Sequence, residues 1–285
     1  LVALRHLDDF QQARQLSQDF LTRTQARFEG GTSPRLDVIK AKVDVAQAEN
    51  DLIAGQRDVV NAGASLNRLI GRLLGAPIAP ADSLAVPPPL ANLAQLEQQA
   101  AALRPELQSL AAQRAGASAA TTLAKEFWLP DVSVGFIRSN IAGTPPSYET
   151  DFGIGFPLFF WQHTGGEVAE SQHHERELTA TQRDLAAQVD QEVRVAYAGA
   201  VTALHQATYI RDELLPEAQQ AYHIASASYA LGGSSALAVL DAKRTLLDAQ
   251  TQYTDALGAV NDAVAQLELA VGAPLAAASS GVKHD

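Results

Sequence analysis

The sequence contains no cysteine. Disulfides, thiolate metal sites and a lipid-modified cysteine within the chain are thereby excluded, and the redox compartment is left open. Methionine is absent too, and Leu1-Val2-Ala3-Leu4-Arg5-His6 does not form a signal peptide, so a mature or truncated chain is expected. No run of about eighteen apolar residues exists, so no membrane-spanning helix is expected, although a membrane β-strand is shorter and escapes that test. Basic charge is scarce. A net charge of −11 lacks the basic stripe a nucleic acid would need, so no nucleic-acid partner is expected; the acidity is compatible with attraction or passage of cations. Catalytic signatures are missing: there is no paired-acid, serine–histidine or metalloprotease motif. Gly153-Ile154-Gly155 sits in a strand without the helix a phosphate-binding loop requires. The chain is read as a non-enzyme, with no catalytic residue and no cofactor.

What is present is a repeat. The stretch Tyr229-Ala230-Leu231-Gly232-Gly233-Ser234-Ser235-Ala236-Leu237-Ala238-Val239-Leu240-Asp241-Ala242-Lys243 repeats the pattern of Phe28-Glu29-Gly30-Gly31-Thr32-Ser33-Pro34-Arg35-Leu36-Asp37-Val38-Ile39-Lys40-Ala41-Lys42, 201 positions earlier, with aromatic, glycine, hydroxyl, leucine, valine, alanine and lysine in register. Each copy reads as a helix end, a tight turn and a new helix. Glycine supplies the left-handed conformation that closes a helix, Ser33 and Ser234 are candidate side-chain N-caps, and Pro34 suits a first turn. Past the turn, Val38, Val45, Leu52, Val59 and Leu66 recur every seventh residue, as do Val239, Leu246, Tyr253, Val260 and Leu267. A seven-residue apolar row is the seam of supercoiled helices. Both rows stop near glycine, at Gly71-Arg72 and Gly272-Ala273-Pro274. The expectation is an internal duplication of two long helical hairpins.

In chain order, residues 1–29 read as one helix and 34–70 as its partner. Residues 71–103 form a proline-broken connector, with one short helix near Leu90–Leu103. Arg104-Pro105-Glu106-Leu107 opens a further helix that stops before Pro130. The period then changes to two. Val132, Val134 and Phe136 alternate with Ser133 and Gly135; Tyr148, Thr150, Phe152, Ile154 and Phe156 alternate with Glu149, Asp151, Gly153 and Gly155. This is one β-hairpin. A lone hairpin is not stable in water, so it is either packed on helices in a soluble protein or joined to other hairpins in a membrane barrel, for which its arms have the right length. The aromatic cluster Phe156, Phe159, Phe160 and Trp161 suits a membrane interface. After Gly165-Gly166 a helix is expected to run to Leu231, with a kink or short break at Pro216, and residues 234–271 return along it.

Seven histidines raise the question of metal. Glu170, His173 or His174, and Glu177 share one helix face at ligand spacing, but no third strong ligand is fixed, so a solvated face is preferred and no metal site is assigned. Glu149 and Asp151 would face the lumen of a barrel; as ordinary exposed strand residues they fit equally well.

Several segments, taken in order, resemble the TolC-like outer-membrane efflux protein family. They are Arg104-Pro105-Glu106-Leu107, Trp128-Leu129-Pro130-Asp131-Val132-Ser133-Val134-Gly135, Gly155-Phe156-Pro157-Leu158-Phe159, Glu192-Val193-Arg194-Val195-Ala196-Tyr197, Leu215-Pro216-Glu217-Ala218, and Tyr229 through Leu246. Pro157-Leu158-Phe159-Phe160-Trp161-Gln162 with Gly166 is more similar to the cation-efflux branch. The resemblance implies a mainly α fold with one β-hairpin: long antiparallel helical hairpins forming a coiled-coil α-barrel, plus outer-membrane β-barrel strands, internally duplicated. It implies a homotrimer in outer-membrane lipid with a periplasmic extension in a Gram-negative bacterium. Such a trimer conducts small solutes, metal cations among them, passively for an inner-membrane efflux pump, through a periplasmic adaptor protein. Gly30, Gly31, Thr32 and Ser33, with Gly232, Gly233 and Ser234, would be the adaptor-contact tips. Asp241 and Asp37 would contribute to acidic pore rings; Ala238 stands where an aspartate is frequent.

On this reading residues 1–71 are the first tunnel hairpin, 72–103 an equatorial connector, 104–130 an entering helix, 131–157 the outer-membrane hairpin, 158–275 the second long hairpin and 276–285 a disordered tail. An entering helix and hairpin ahead of residue 1 are the expected missing pieces. The competing reading is a soluble coiled-coil structural or interaction scaffold.

Overall fold

A computed structural model of the chain describes residues 1–81, 83–126, 129–140, 143, 145–156 and 160–275. The expected tail at 276–285 lies outside the described residues, as do Phe159 and the side chains of Phe160 and Trp161. Seven helices and one hairpin follow in order: α1 (Val2–Glu29), α2 (Arg35–Leu69), α3 (Leu93–Leu103), α4 (Pro105–Lys125), β1 (Asp131–Ser139), β2 (Ser147–Gly155), α5 (Phe160–Tyr209), a π-helical turn (Ile210–Leu214), α6 (Leu215–Ala230) and α7 (Ala236–Val271). The described residues are therefore mainly helical, with one two-stranded antiparallel sheet. None of their helices is long and apolar enough to cross a membrane.

The chain forms two compact units. Among the described residues, one comprises Leu1–Ala91, Val195–Leu269 and Leu275; the other comprises Asn92–Arg194 and Ala270–Pro274. In the first, α1 packs along α2. The deepest row on α2 is Ala41, Ala48 and Gly55, again seven apart but three residues along from the expected seam. The expected row fades from buried Val38 to exposed Leu66. Small residues win here because they let the helix axes close up. A Cβ on Gly55 would sit 2.7 Å from Cδ2 of Phe10. On α7 the expected row holds: Val239, Leu246, Val260 and Leu267 are buried. Phe20, Ala41, Tyr229, Ala236 and Val239 form one core cluster, and Ala218, Leu246 and Ala249 another.

Helix ends follow local chemistry, with corrections. Gly31 and Gly232 take φ of +73° and +83°. In both turns the residue after this glycine donates back to the carbonyl five residues earlier (Thr32 to Arg27 at 2.9 Å, Gly233 to Ser228 at 2.8 Å), which is the Schellman closure. Gly71 and Gly272 are likewise left-handed, at +71° and +78°. The expected serine caps are displaced by one residue. Pro34 holds the N-cap of α2, while Ser33 donates to Asp37 Oδ2 at 3.0 Å. Ser235 accepts the Ala238 amide on α7, while Ser234 donates to the Ala225 carbonyl. The glycine closure consumes one more residue than an abrupt stop, and this shifts the serines.

Helix α5 begins at Phe160 and runs through Gly165-Gly166 rather than starting after them. At the expected kink or short break near Pro216, a π-helical turn over Ile210–Leu214 interrupts the α-helix just ahead of the proline. Leu215 donates to the carbonyl of Ile210, widening one turn ahead of the proline. Proline lacks an amide donor and crowds the carbonyl four residues back; a wider turn relieves both.

In the second unit, the Asn92 side chain caps α3 by accepting the Ala94 amide at 3.1 Å. Arg104, at the α3–α4 junction, donates to Glu192 at 2.8 Å and to the Ala270 carbonyl at 3.3 Å. Pro105 and Glu106 then open α4, as their positions in a first turn require.

Candidate functional site

The two helical turns lie side by side, sewn together by Tyr229. Its ring is 4% exposed, packs 5.5 Å from the Phe20 ring, and lies under the Arg27 guanidinium, 4.4 Å from its centroid. Arg27 also donates to the Tyr229 carbonyl. The Tyr229 hydroxyl lies 3.4 Å from Ser33 Oγ and donates to Thr24 Oγ1 at 3.4 Å. Of the expected tip residues, Gly30, Gly31, Thr32, Gly232 and Gly233 are exposed, Ser234 is half-buried and Ser33 is buried. The structure thus gathers the backbone of both turns into one accessible surface and withdraws Ser33 into its support. Exposed glycine backbone lets another polypeptide approach closely.

The two expected pore acids sit differently. Asp37 is half-buried and is engaged by Ser33 within its own turn. Asp241 is exposed and lines a groove of about 780 Å³ between α2 and α7, together with Ile39, Lys40, Val43, Leu237 and Arg244.

A polar seam that the sequence reading missed runs along this groove, whose lining includes Asp9, Asp44 and Lys243. Lys243, 3% exposed, donates to Ser17 Oγ at 2.7 Å and pairs with Asp44. Thr254 donates to Asp9 at 2.7 Å, and His6 Nε2 lies 2.9 Å from Asp255. Burial raises the Asp9 carboxyl above its ordinary value, against the Thr254 hydrogen bond and the charges of Arg5 and His6. Two signals were available: a lysine at an inner heptad position between Val239 and Leu246, and the stripe Asp9, Ala13, Ser17, Phe20 and Thr24 on α1, which is more polar than a core stripe.

The hairpin pairs Val132 with Ile154, Val134 with Phe152, Phe136 with Thr150 and Arg138 with Tyr148. One face therefore collects Val132, Val134, Phe136, Tyr148, Phe152 and Ile154, and all six are exposed, Phe136 by 81% and Phe152 by 75%. The other face carries Glu149 opposite Ile137 and Asp151 opposite Gly135, also exposed. On α5, His174 lies 3.4 Å from Glu177, and Glu170, His173, His174 and Glu177 are all exposed. No group of three potential metal ligands converges among the described residues.

Residues 96–273, more than half of the chain, match the family described as "Outer membrane efflux protein". The chain belongs to that family. No curated protein matches the chain. Among solved structures, the chain is similar to the outer membrane protein VceC of Vibrio cholerae (18% identity, TM-score 0.70, covering 96% of this chain and 67% of VceC). It is similar also to CusC, reported in a study of folding and transmembrane channel formation (18%, TM-score 0.71, 95% and 65%). A third is the MtrE outer membrane channel of Neisseria gonorrhoeae (19%, TM-score 0.66, 96% and 65%). At these identities the likeness is one of fold. The chain spans about two thirds of the length of these proteins. Members of an efflux-channel family catalyse no reaction, which fits a site made of turns, seams and an uncovered sheet face.

Proposed function

We propose that this chain forms part of an outer-membrane channel subunit of a tripartite efflux system, conducting small solutes passively. The observation that carries the reading is the uncovered apolar face of the β1–β2 hairpin. A soluble protein hides such a face, because two strands alone have nothing to bury it against. Both arms are nine residues long, enough for a tilted strand to cross the hydrocarbon layer. In this reading the face meets outer-membrane lipid, and Glu149 and Asp151 line the lumen. The scaffold alternative would require the helices to cover the hairpin.

The subunit works as a homotrimer, each copy lending strands to a shared barrel and helices to a periplasmic tunnel. Duplication of the helical hairpin explains why left-handed glycines recur at 31 and 232, and at 71 and 272. The paired turns receive the periplasmic adaptor that joins the channel to an inner-membrane pump. Asp241 and Asp37 bias the tunnel toward cations, metal ions included, in keeping with the net charge of −11. The test is fractionation of the full-length protein. It should resist extraction from membranes by alkaline carbonate and enter solution as a trimer only with detergent. Recovery as a monodisperse, detergent-free species would refute the channel reading in favour of the scaffold.

A further inference from the structure

We propose that Lys243, Asp44 and Ser17 act as a register pin that holds α7 at one axial position against the α1–α2 hairpin, and so keeps the two turns level. The problem the pin solves is degeneracy. An apolar row of seven-residue spacing matches its neighbour again after a slip of seven residues, because valine and leucine replace one another at little cost. The row on α7 runs through Val239, Leu246, Tyr253, Val260 and Leu267; apart from the half-buried Tyr253 it is aliphatic and carries little to distinguish one heptad from the next. Lys243 breaks the monotony. It is buried at an inner position, and its ammonium meets partners on two other helices at once, Ser17 on α1 and Asp44 on α2. Its counterpart in the first copy, Lys42, is exposed. The two copies of the hairpin thus differ at the point where the three helices meet.

A slip of one heptad would carry Lys243 about 10 Å from both partners, stranding its buried ammonium and leaving Asp44 unpaired. The same slip would move Gly232 by that distance relative to Gly31, leaving one turn proud of the other and breaking up their common surface. A single polar residue at an inner heptad position is the best-attested means of fixing register, at some cost in stability. Asp9 with Thr254 and His6 with Asp255 are further polar pairs on the same seam, but only Lys243 spans three helices.

The chain's lack of cysteine allows a direct test. A Cβ placed on Gly258 would lie 4.0 Å from Cβ of Val2, a separation that suits a disulfide. Val2→Cys with Gly258→Cys therefore reports the native register, and Val2→Cys with Ala265→Cys reports a slip of one heptad. Both pairs are introduced into the full-length protein and oxidised in intact cells, whichever fraction the protein is then recovered from. Only the 2–258 link should form in the parent. Lys243→Asp should shift the crosslink toward the 2–265 pair, raising it at least about tenfold, as a buried carboxylate is set against the half-buried Asp44. Adding Asp44→Lys, which restores an opposite pair, should return the 2–258 link. An undiminished 2–258 link in Lys243→Asp, or no recovery in the charge-swapped variant, would overturn the proposal. The test reads the packing of α1 on α7 and gives its answer whether or not the protein proves to be a channel.

Discussion

Tyr229 offers a sharp test of what holds the two turns together, because its ring and its hydroxyl can be removed separately. Tyr229→Phe deletes only the hydroxyl, whose contacts to Ser33 and Thr24 are both long, at 3.4 Å. Neither partner is stranded by the loss: Thr24 donates to the Phe20 carbonyl and Ser33 to Asp37. The expected cost is at most about 1 kcal/mol. Tyr229→Ala removes a ring that is 4% exposed, together with its packing on Phe20 and its face beneath Arg27. Emptying such a site costs about 3–5 kcal/mol. At a tenfold change per 1.4 kcal/mol, the alanine variant should open roughly two to four powers of ten more often than the parent. The phenylalanine variant should stay within about tenfold. The Arg27 hydrogen bond goes to the Tyr229 carbonyl and survives both changes. Amide hydrogen exchange at residues 28–36 and 229–236 reads this local opening directly. If Tyr229→Phe exchanged as fast as Tyr229→Ala, the argument for ring packing would be wrong and the hydroxyl network would be the clasp.

Two further outcomes are expected. Replacing Gly232 and Gly233 together by valine should abolish export while leaving membrane insertion intact. Gly232 holds φ of +83°, which valine adopts only at a cost of roughly 1–3 kcal/mol, and a Cβ on Gly233 would meet Ser228 Oγ at 2.9 Å; unchanged export would dismiss the turns as a docking surface. Asp9 should make stability fall as pH rises. Because burial raises its pKa, the folded chain holds this proton more tightly than the unfolded chain. The associated stabilisation is complete below the ordinary value of 3.8 and is lost as pH climbs through the raised one. Asp9→Asn keeps an acceptor for Thr254 and should flatten that part of the dependence, as read from urea midpoints across the interval; an unaltered slope would point to another group.

Features set by near neighbours in the chain were legible. The left-handed glycines at 31 and 232, the proline opening of α4 and the period-two arms of the hairpin all depend on a few adjacent residues, and each appears where expected. What escaped depends on partners distant in sequence. The seven-residue spacing on α2 was plain, but whether Val45 or Ala48 turns inward is decided by how closely α1 approaches, and that closeness is set by Phe10 over Gly55. Lys243 could not be assigned partners from the sequence, because Ser17 and Asp44 stand some two hundred positions away. The tip glycines were found for local reasons; the clasp beneath them, built on Arg27 and Tyr229, was not, because it joins opposite ends of the chain.

The widened turn ahead of Pro216 has a consequence for the faces above and below it. Ala200 and Ala207 are buried and stand seven apart; Tyr222 and Tyr229 also stand seven apart, but Tyr222 follows Ala207 by fifteen residues, one more than two full heptads. The surplus residue is taken up between Ile210 and Leu214, where the hydrogen bond reaches one residue further. This loop of slack acts as a phase shifter, letting one continuous rod turn the correct side inward along both of its stretches. Excising a residue there would make the helix more regular and rotate everything beyond it by about 100°, swinging the Tyr229 ring out into water.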